Sequence, residues 1–144
     1  MSSKSISKDK YEGLEYSEEF GRILEENPEK LKDICNGVGS KVGAGKLIYH
    51  FIPNTIYLLD ITPASDIHDF DYTYPDKFDS LTEAYAYKRM ADDRFYDNVL
   101  KLIDKHSSNP IIKFLRKRRA KEYFFALTEF GLSSFLKGKN FSHK

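Results

Sequence analysis

The chain has 144 residues, 23 of them basic and 22 acidic, for a formal net charge of +1. That length fits one domain with a single core, and the near-even balance excludes the global positive field that draws a protein to nucleic acid. Hydrophobic residues make up 40%, with ten Tyr, eleven Phe and no Trp, so much of the buried area must come from a few large rings.

A single cysteine, Cys35, cannot form an intrachain disulfide, so the fold rests on packing, which suits a reducing compartment. Met1 to Lys10 is rich in Ser and Lys and lacks the apolar stretch of a secretion signal. The longest apolar segment, Leu47 to Ile61, is interrupted by His50, Pro53, Asn54 and Asp60, and no run reaches the roughly 18–20 apolar residues of a membrane span. The expectation is a cytoplasmic protein, leaving the cell only by lysis or a non-classical route.

Residues 1–16 are polar and are expected to be a flexible segment preceding one helical domain over 17–144. Ser17-Glu-Glu-Phe20 reads as a helix start, with Ser17 as cap and acids in the first turn. Phe20, Ile23, Leu24, Leu31 and Ile34 line one face, and Pro28 divides that helix with Asn27 capping the second piece. Gly37, Gly39, Gly43 and Gly45 then mark a permissive loop. Leu47 to Leu59 holds either a short extended pair or a covering segment; the pattern does not decide between them.

Thr62-Pro63 restarts regular structure as cap and first helical position, and Pro75 should stop the helix by about Tyr72 or Thr73. Ser80 caps the next helix, which runs to about His106 with Leu81, Tyr85, Phe95, Val99, Leu102 and Ile103 at helical spacing. Asn109-Pro110 opens the last long helix, which breaks near Gly131. The fold class is all-α, and no internal repeat or domain boundary is visible.

On a helix from Thr62, His68 shares a ridge with Ala64 and Tyr72, while Asp69 shares the neighbouring ridge with Ser65. Their directions differ by about 100°. One helix could therefore aim an imidazole at a substrate and a carboxylate at a cation beside it. The plainer alternative is a core histidine next to a solvated acid. In the following helix, Lys88 and Asp92 fall in the gap of the apolar stripe, whereas Arg89, Asp93 and Asp97 point elsewhere. An inward carboxylate is costly without a partner. The short connection over 74–79 packs the two helices antiparallel, so an imidazole across the interface is a natural partner. The alternative is a solvated Asp92 paired with Lys88 on its own helix. An imidazole held by a buried carboxylate is an oriented general base.

Cys35-Asn-Gly-Val-Gly39, Pro53-Asn-Thr-Ile-Tyr57, Ile67-His-Asp-Phe-Asp-Tyr72 and Ala91-Asp-Asp-Arg-Phe95 stand in an order that resembles the secreted-type phospholipase A2 family, closest to its small, disulfide-free bacterial and phage members. The resemblance spans roughly residues 35–136. It implies a phospholipase A2-like fold of two antiparallel core helices with further N- and C-terminal helices. It also implies calcium-dependent release of a fatty acid from a glycerophospholipid. By position, His68 would activate a water, Asp92 would orient it and Tyr72 would bond to Asp92. Asp69 and the carbonyls of Cys35, Gly37 and Gly39 would hold Ca²⁺, with the Gly37 amide also facing the oxyanion. The chain departs from the family in having Ala64, Ser65 and Asp71 where its cysteines flank the His-Asp helix, and in lacking the last glycine of the calcium loop.

Lys113, Arg116, Lys117, Arg118, Arg119 and Lys121 form a basic run on the last long helix. Its readings are a solvated face, attraction to anionic phospholipid head groups, or nonspecific nucleic-acid contact, the last disfavoured by the neutral overall charge. The interleaved Phe114, Leu115, Phe124 and Phe125 are expected in the core. A catalytically silent module of the same fold, binding a membrane or a protein partner, is the competing reading of the whole chain.

Overall fold

The structure, a computed structural model, describes residues 9–35, 55–74, 77–136 and 139–141. Among them the chain is mostly helical. The elements are α1 (Glu18–Glu26), α2 (Pro28–Cys35), β1 (Thr55–Ile56), β2 (Leu59–Asp60), α3 (Thr62–Thr73), β3 (Lys77–Phe78), α4 (Leu81–His106), α5 (Pro110–Phe130), α6 (Leu132–Leu136) and β4 (Asn140–Phe141). No helix among the described residues is long and apolar enough to cross a membrane.

Capping side chains set most helix starts. Ser17 accepts from the Phe20 amide, Ser80 from Glu83, and Asn109 from both Ile111 and Ile112. The start of α3 differs from expectation. Thr62 is its first helical residue, and the Asp60 carboxylate accepts the Thr62 amide instead. Pro28 does separate α1 from α2, with the Asn27 amide closing onto the Ile23 carbonyl.

Helix α3 is buried from Pro63 to Tyr72 on every side. Ala64 and Tyr72 belong to a core shared with α4, α5 and the β1–β2 hairpin, while Ile67 and Phe70 belong to a second core with Tyr11, α1 and α2. A helix enclosed all round is normally apolar. This one carries Ser65, Asp66, His68, Asp69 and Asp71 as buried polar residues. Neighbouring elements must therefore supply partners.

Residues 9–16, part of the segment expected to be flexible, supply some of these partners. The Tyr11 hydroxyl donates to Asp66 at 2.8 Å and the Lys10 ammonium stands 2.9 Å from the same oxygen. The buried Asn98 side chain of α4 accepts from the Glu15 amide at 2.7 Å and donates to the Glu15 carbonyl at 2.8 Å. Residues 9–16 are thus docked on the helices, because buried polar groups there require them.

Helices α3 and α4 run antiparallel: His68 meets Phe95, while six residues later Tyr74 accepts from Tyr87, nearer the start of α4. The buried stripe of α4 uses Ala84, Ala91 and Asn98, with Leu81 and Tyr85 left 45% and 47% exposed, contrary to the sequence expectation. Small residues let the two backbones approach, and the larger ones are displaced to the rim. On α5, Ala120, Tyr123 and Leu127 face the core, and Phe114 and Phe125 do not.

The ambiguous segment before α3 ends in an extended pair, with Thr55 opposite Asp60 and Ile56 opposite Leu59. Its turn residues, Tyr57 and Leu58, both have positive φ, 46° and 69°, a conformation that bulky L-residues rarely adopt.

Candidate active site

The pair pattern on α3 and α4 converges at one point. The Nε2 atom of His68 lies 2.9 Å from Asp92 Oδ1, and the Tyr72 hydroxyl donates to that same oxygen at 2.7 Å. His68, Tyr72 and Asp92 are 1%, 0% and 3% exposed. The second Asp92 oxygen accepts from the Lys88 ammonium at 2.6 Å, and that ammonium also donates to the Leu127 carbonyl at 3.0 Å. Asp92 is therefore inward rather than solvated, and it pairs with both His68 and Lys88.

Electrostatics follow from those donors. Burial by itself raises the Asp92 carboxyl, but the hydrogen bonds from His68, Lys88 and Tyr72 outweigh it and hold the group below its ordinary value. Burial first, and then the adjacent Asp92 charge, push the Tyr72 phenol far above its usual range, so it stays a donor. With an ionised acceptor at Nε2, a neutral ring carries its proton on that nitrogen and its lone pair on Nδ1. The Nδ1 atom is buried and has no hydrogen-bond partner among the described residues. Tyr72 and Phe95 wall the ring, with centroids 4.1 and 5.1 Å away. The arrangement can hold a neutral imidazole in one tautomer and orientation, which general-base work requires.

Asp69 is 1% exposed on the adjoining ridge of α3. Cys35 is the last residue of α2, which packs against α3. The Asp69 carboxylate is an oxygen donor suited to a hard cation such as Ca²⁺, and the expected set adds the Cys35 carbonyl. Gly37 and Gly39, expected to complete that set, lie outside the described residues. Among the described residues no cluster of three or more His, Cys, Asp or Glu could hold a metal, so carbonyl oxygens would have to make up most of such a site.

Beside the network lies an ion pair that pattern reading did not find. Asp71, fully buried, receives Arg94 Nη1 at 3.0 and 3.1 Å on its two oxygens, and Glu15 stands 3.7 Å from Arg94 Nε. Burial pushes the Asp71 carboxyl up to about 7 against the opposing pull of Arg94. Arg94 lies two residues past Asp92 on α4, but nothing in its spacing distinguishes it from a surface arginine.

A cavity of about 450 Å³ between α4 and α5 reaches the network from the Asp92 and Lys88 side, lined also by Tyr85, Arg89, Phe124 and Leu132. The basic run is largely engaged within the molecule. Lys113 and Lys117 pair with Asp104 at 3.4 and 3.1 Å. Arg116 donates to the Tyr57 carbonyl at 2.7 Å, and Arg119 stands 5.6 Å over the Tyr57 ring.

No family model, curated protein or solved structure matches this chain.

Proposed function

We propose that this protein is a phospholipase A2-like hydrolase that cleaves an acyl ester of a glycerophospholipid through a water activated by His68. The observation that supports the reading is the buried His68–Asp92–Tyr72 contact, with Nε2 committed to the carboxylate and Nδ1 free of hydrogen bonds among the described residues. In this reading Nδ1 takes a proton from water as its oxygen adds to the ester carbonyl, and returns it to the departing alkoxide. Asp92 and Tyr72 keep the ring aligned throughout. Asp69, with the carbonyls of Cys35, Gly37 and Gly39, would hold Ca²⁺, which when bound supplies positive charge near the developing oxyanion. Turnover at millimolar but not micromolar Ca²⁺ fits an enzyme silent in the cytoplasm; full activity at the lower level removes that restriction.

Contact with the lipid surface is assigned to the outward face of α5. Ile111, Phe114 and Phe125 are 69%, 64% and 62% exposed there, with Arg118 and Lys121 between them. Over fourteen residues this stripe is about 21 Å long. Exposed aromatics interleaved with cations match an anionic interface.

The test is phospholipid hydrolysis by wild type and His68→Ala, each with calcium and with chelator. Turnover lost in a folded mutant and in chelator supports the enzyme; equal rates in wild type and mutant remove it. A second reading, a silent module of the same fold, is favoured by one observation. The imidazole is 1% exposed, and the 450 Å³ cavity reaches Asp92 and Lys88 with no His68 in its lining. Vesicle binding with no hydrolysis by wild type would select it.

A further inference from the structure

We propose that Lys88 is a positioning residue of this site, a buried ammonium that fixes Asp92 from behind so that its other oxygen orients His68. The inference rests on the hydrolase reading for its kinetic part only. Lysine is seldom buried without a partner, yet Lys88 is 7% exposed in the middle of α4. Its ammonium has two partners, Asp92 Oδ2 at 2.6 Å and the Leu127 carbonyl at 3.0 Å. That carbonyl also accepts the Gly131 amide at 2.9 Å, where α5 ends.

The two carboxylate oxygens thus have separate tasks. Oδ1 takes His68 and Tyr72 from α3, and Oδ2 takes Lys88. The terminal torsion of an aspartate is broad and roughly two-fold, so bonds on one oxygen alone leave its plane loosely set. The ammonium removes that freedom and ties the carboxylate to α5, a third helix. A charge-assisted bond of this kind is short and strong. Lys88 makes no hydrogen bond to the imidazole; its ammonium bonds Asp92 and stands 6.0 Å over the Tyr72 ring, so it acts on His68 through the Asp92 side of the network.

The experiment compares wild type, Lys88→Met and His68→Ala by kcat and KM on phospholipid vesicles, and reads the ring nitrogens of His68 by ¹⁵N NMR. In folded Lys88→Met, kcat is expected to fall about tenfold or more with KM within about twofold, and the single His68 tautomer to become a mixture. A folded variant with one tautomer and kcat within about twofold of wild type overturns the proposal. Should Lys88→Met not fold, Lys88→Met/Asp92→Asn is compared with Asp92→Asn. A further change in kcat under about threefold supports action through Asp92, and a larger loss overturns it. If wild type shows no turnover, the hydrolase reading falls alone, and the tautomer still decides whether Lys88 orients the ring.

Discussion

The Tyr72 hydroxyl occupies the place a side chain on Gly131 would need: a Cβ there would stand 2.9 Å from that oxygen and 2.6 Å from the Leu127 carbonyl. The glycine that ends α5 is therefore required for close approach to the Asp92 network, with an ordinary right-handed backbone. Gly131→Ala is expected to destabilise the fold by about 1–3 kcal/mol and to lower turnover by displacing Tyr72. Urea denaturation and phospholipid hydrolysis measure the two effects. A variant as stable as wild type would show that the helix end can shift away freely.

Asp71 predicts a pH dependence of opposite sign to that of Asp92. Its folded pKa of about 7 exceeds the unfolded carboxylate value. The folded state then binds the proton more tightly, so the contribution is full below about pH 4 and is lost as pH rises through about 7. Asp92, held below its ordinary value, contributes stability that disappears only as pH falls through its folded pKa, in acid. Asp71→Asn should accordingly flatten the stability change between about pH 4 and 8. Denaturation midpoints across that range, wild type against variant, provide the check; parallel curves refute the assignment.

The β1–β2 turn stores strain that α5 offsets. Tyr57 and Leu58 hold left-handed conformations without a glycine, at a cost of roughly 1–2 kcal/mol each, and Leu58 is 96% exposed. Leu58→Gly is expected to stabilise the protein by about 1 kcal/mol, since no packing is lost. Arg116→Ala should destabilise it by a similar amount, through loss of the bonds to the Tyr57 carbonyl and the Ser107 hydroxyl. Thermal melts of the two variants should move in opposite directions.

Vesicle binding should separate the cations of α5 into two groups. Removing Arg118 and Lys121, which lie between exposed Phe114 and Phe125, is expected to weaken binding to anionic vesicles about tenfold or more, at about 1 kcal/mol per charge. Removing Lys113 and Lys117, which share Asp104 and so have one of their two charges offset, should do less. Phe114→Ser with Phe125→Ser tests the apolar half of the same face. Cosedimentation with neutral and anionic lipid distinguishes the charge effect from the aromatic one, and equal loss from both pairs of cations would contradict the division.

Local chemistry made much of this legible in the sequence. The Ser80 and Asn109 caps, the proline at position 28 and the inward place of Asp92 are all short-range consequences of helical geometry. The His68–Asp92 contact followed from spacing plus a connection too short to allow anything but an antiparallel neighbour. What escaped depends on the third dimension. Phe114 and Phe125 have the same intrinsic hydrophobicity as core rings, and only the position of α4 decides that they face outward. Tyr11 and Asn98 looked unremarkable because their value comes from Asp66 and Glu15, distant in sequence. The fate of Arg94 was equally hidden, since burial of a cation is specified by the acid it meets.

The docking of residues 9–16 has a practical consequence for anyone trimming this protein. A shortened version beginning at Ser17 would strip Asp66 of its phenol and ammonium and deprive Asn98 of both Glu15 bonds. The lost bonds lie on the very helices that hold the imidazole and its carboxylate. Such a fragment should express poorly even though every residue named in the chemistry is still present.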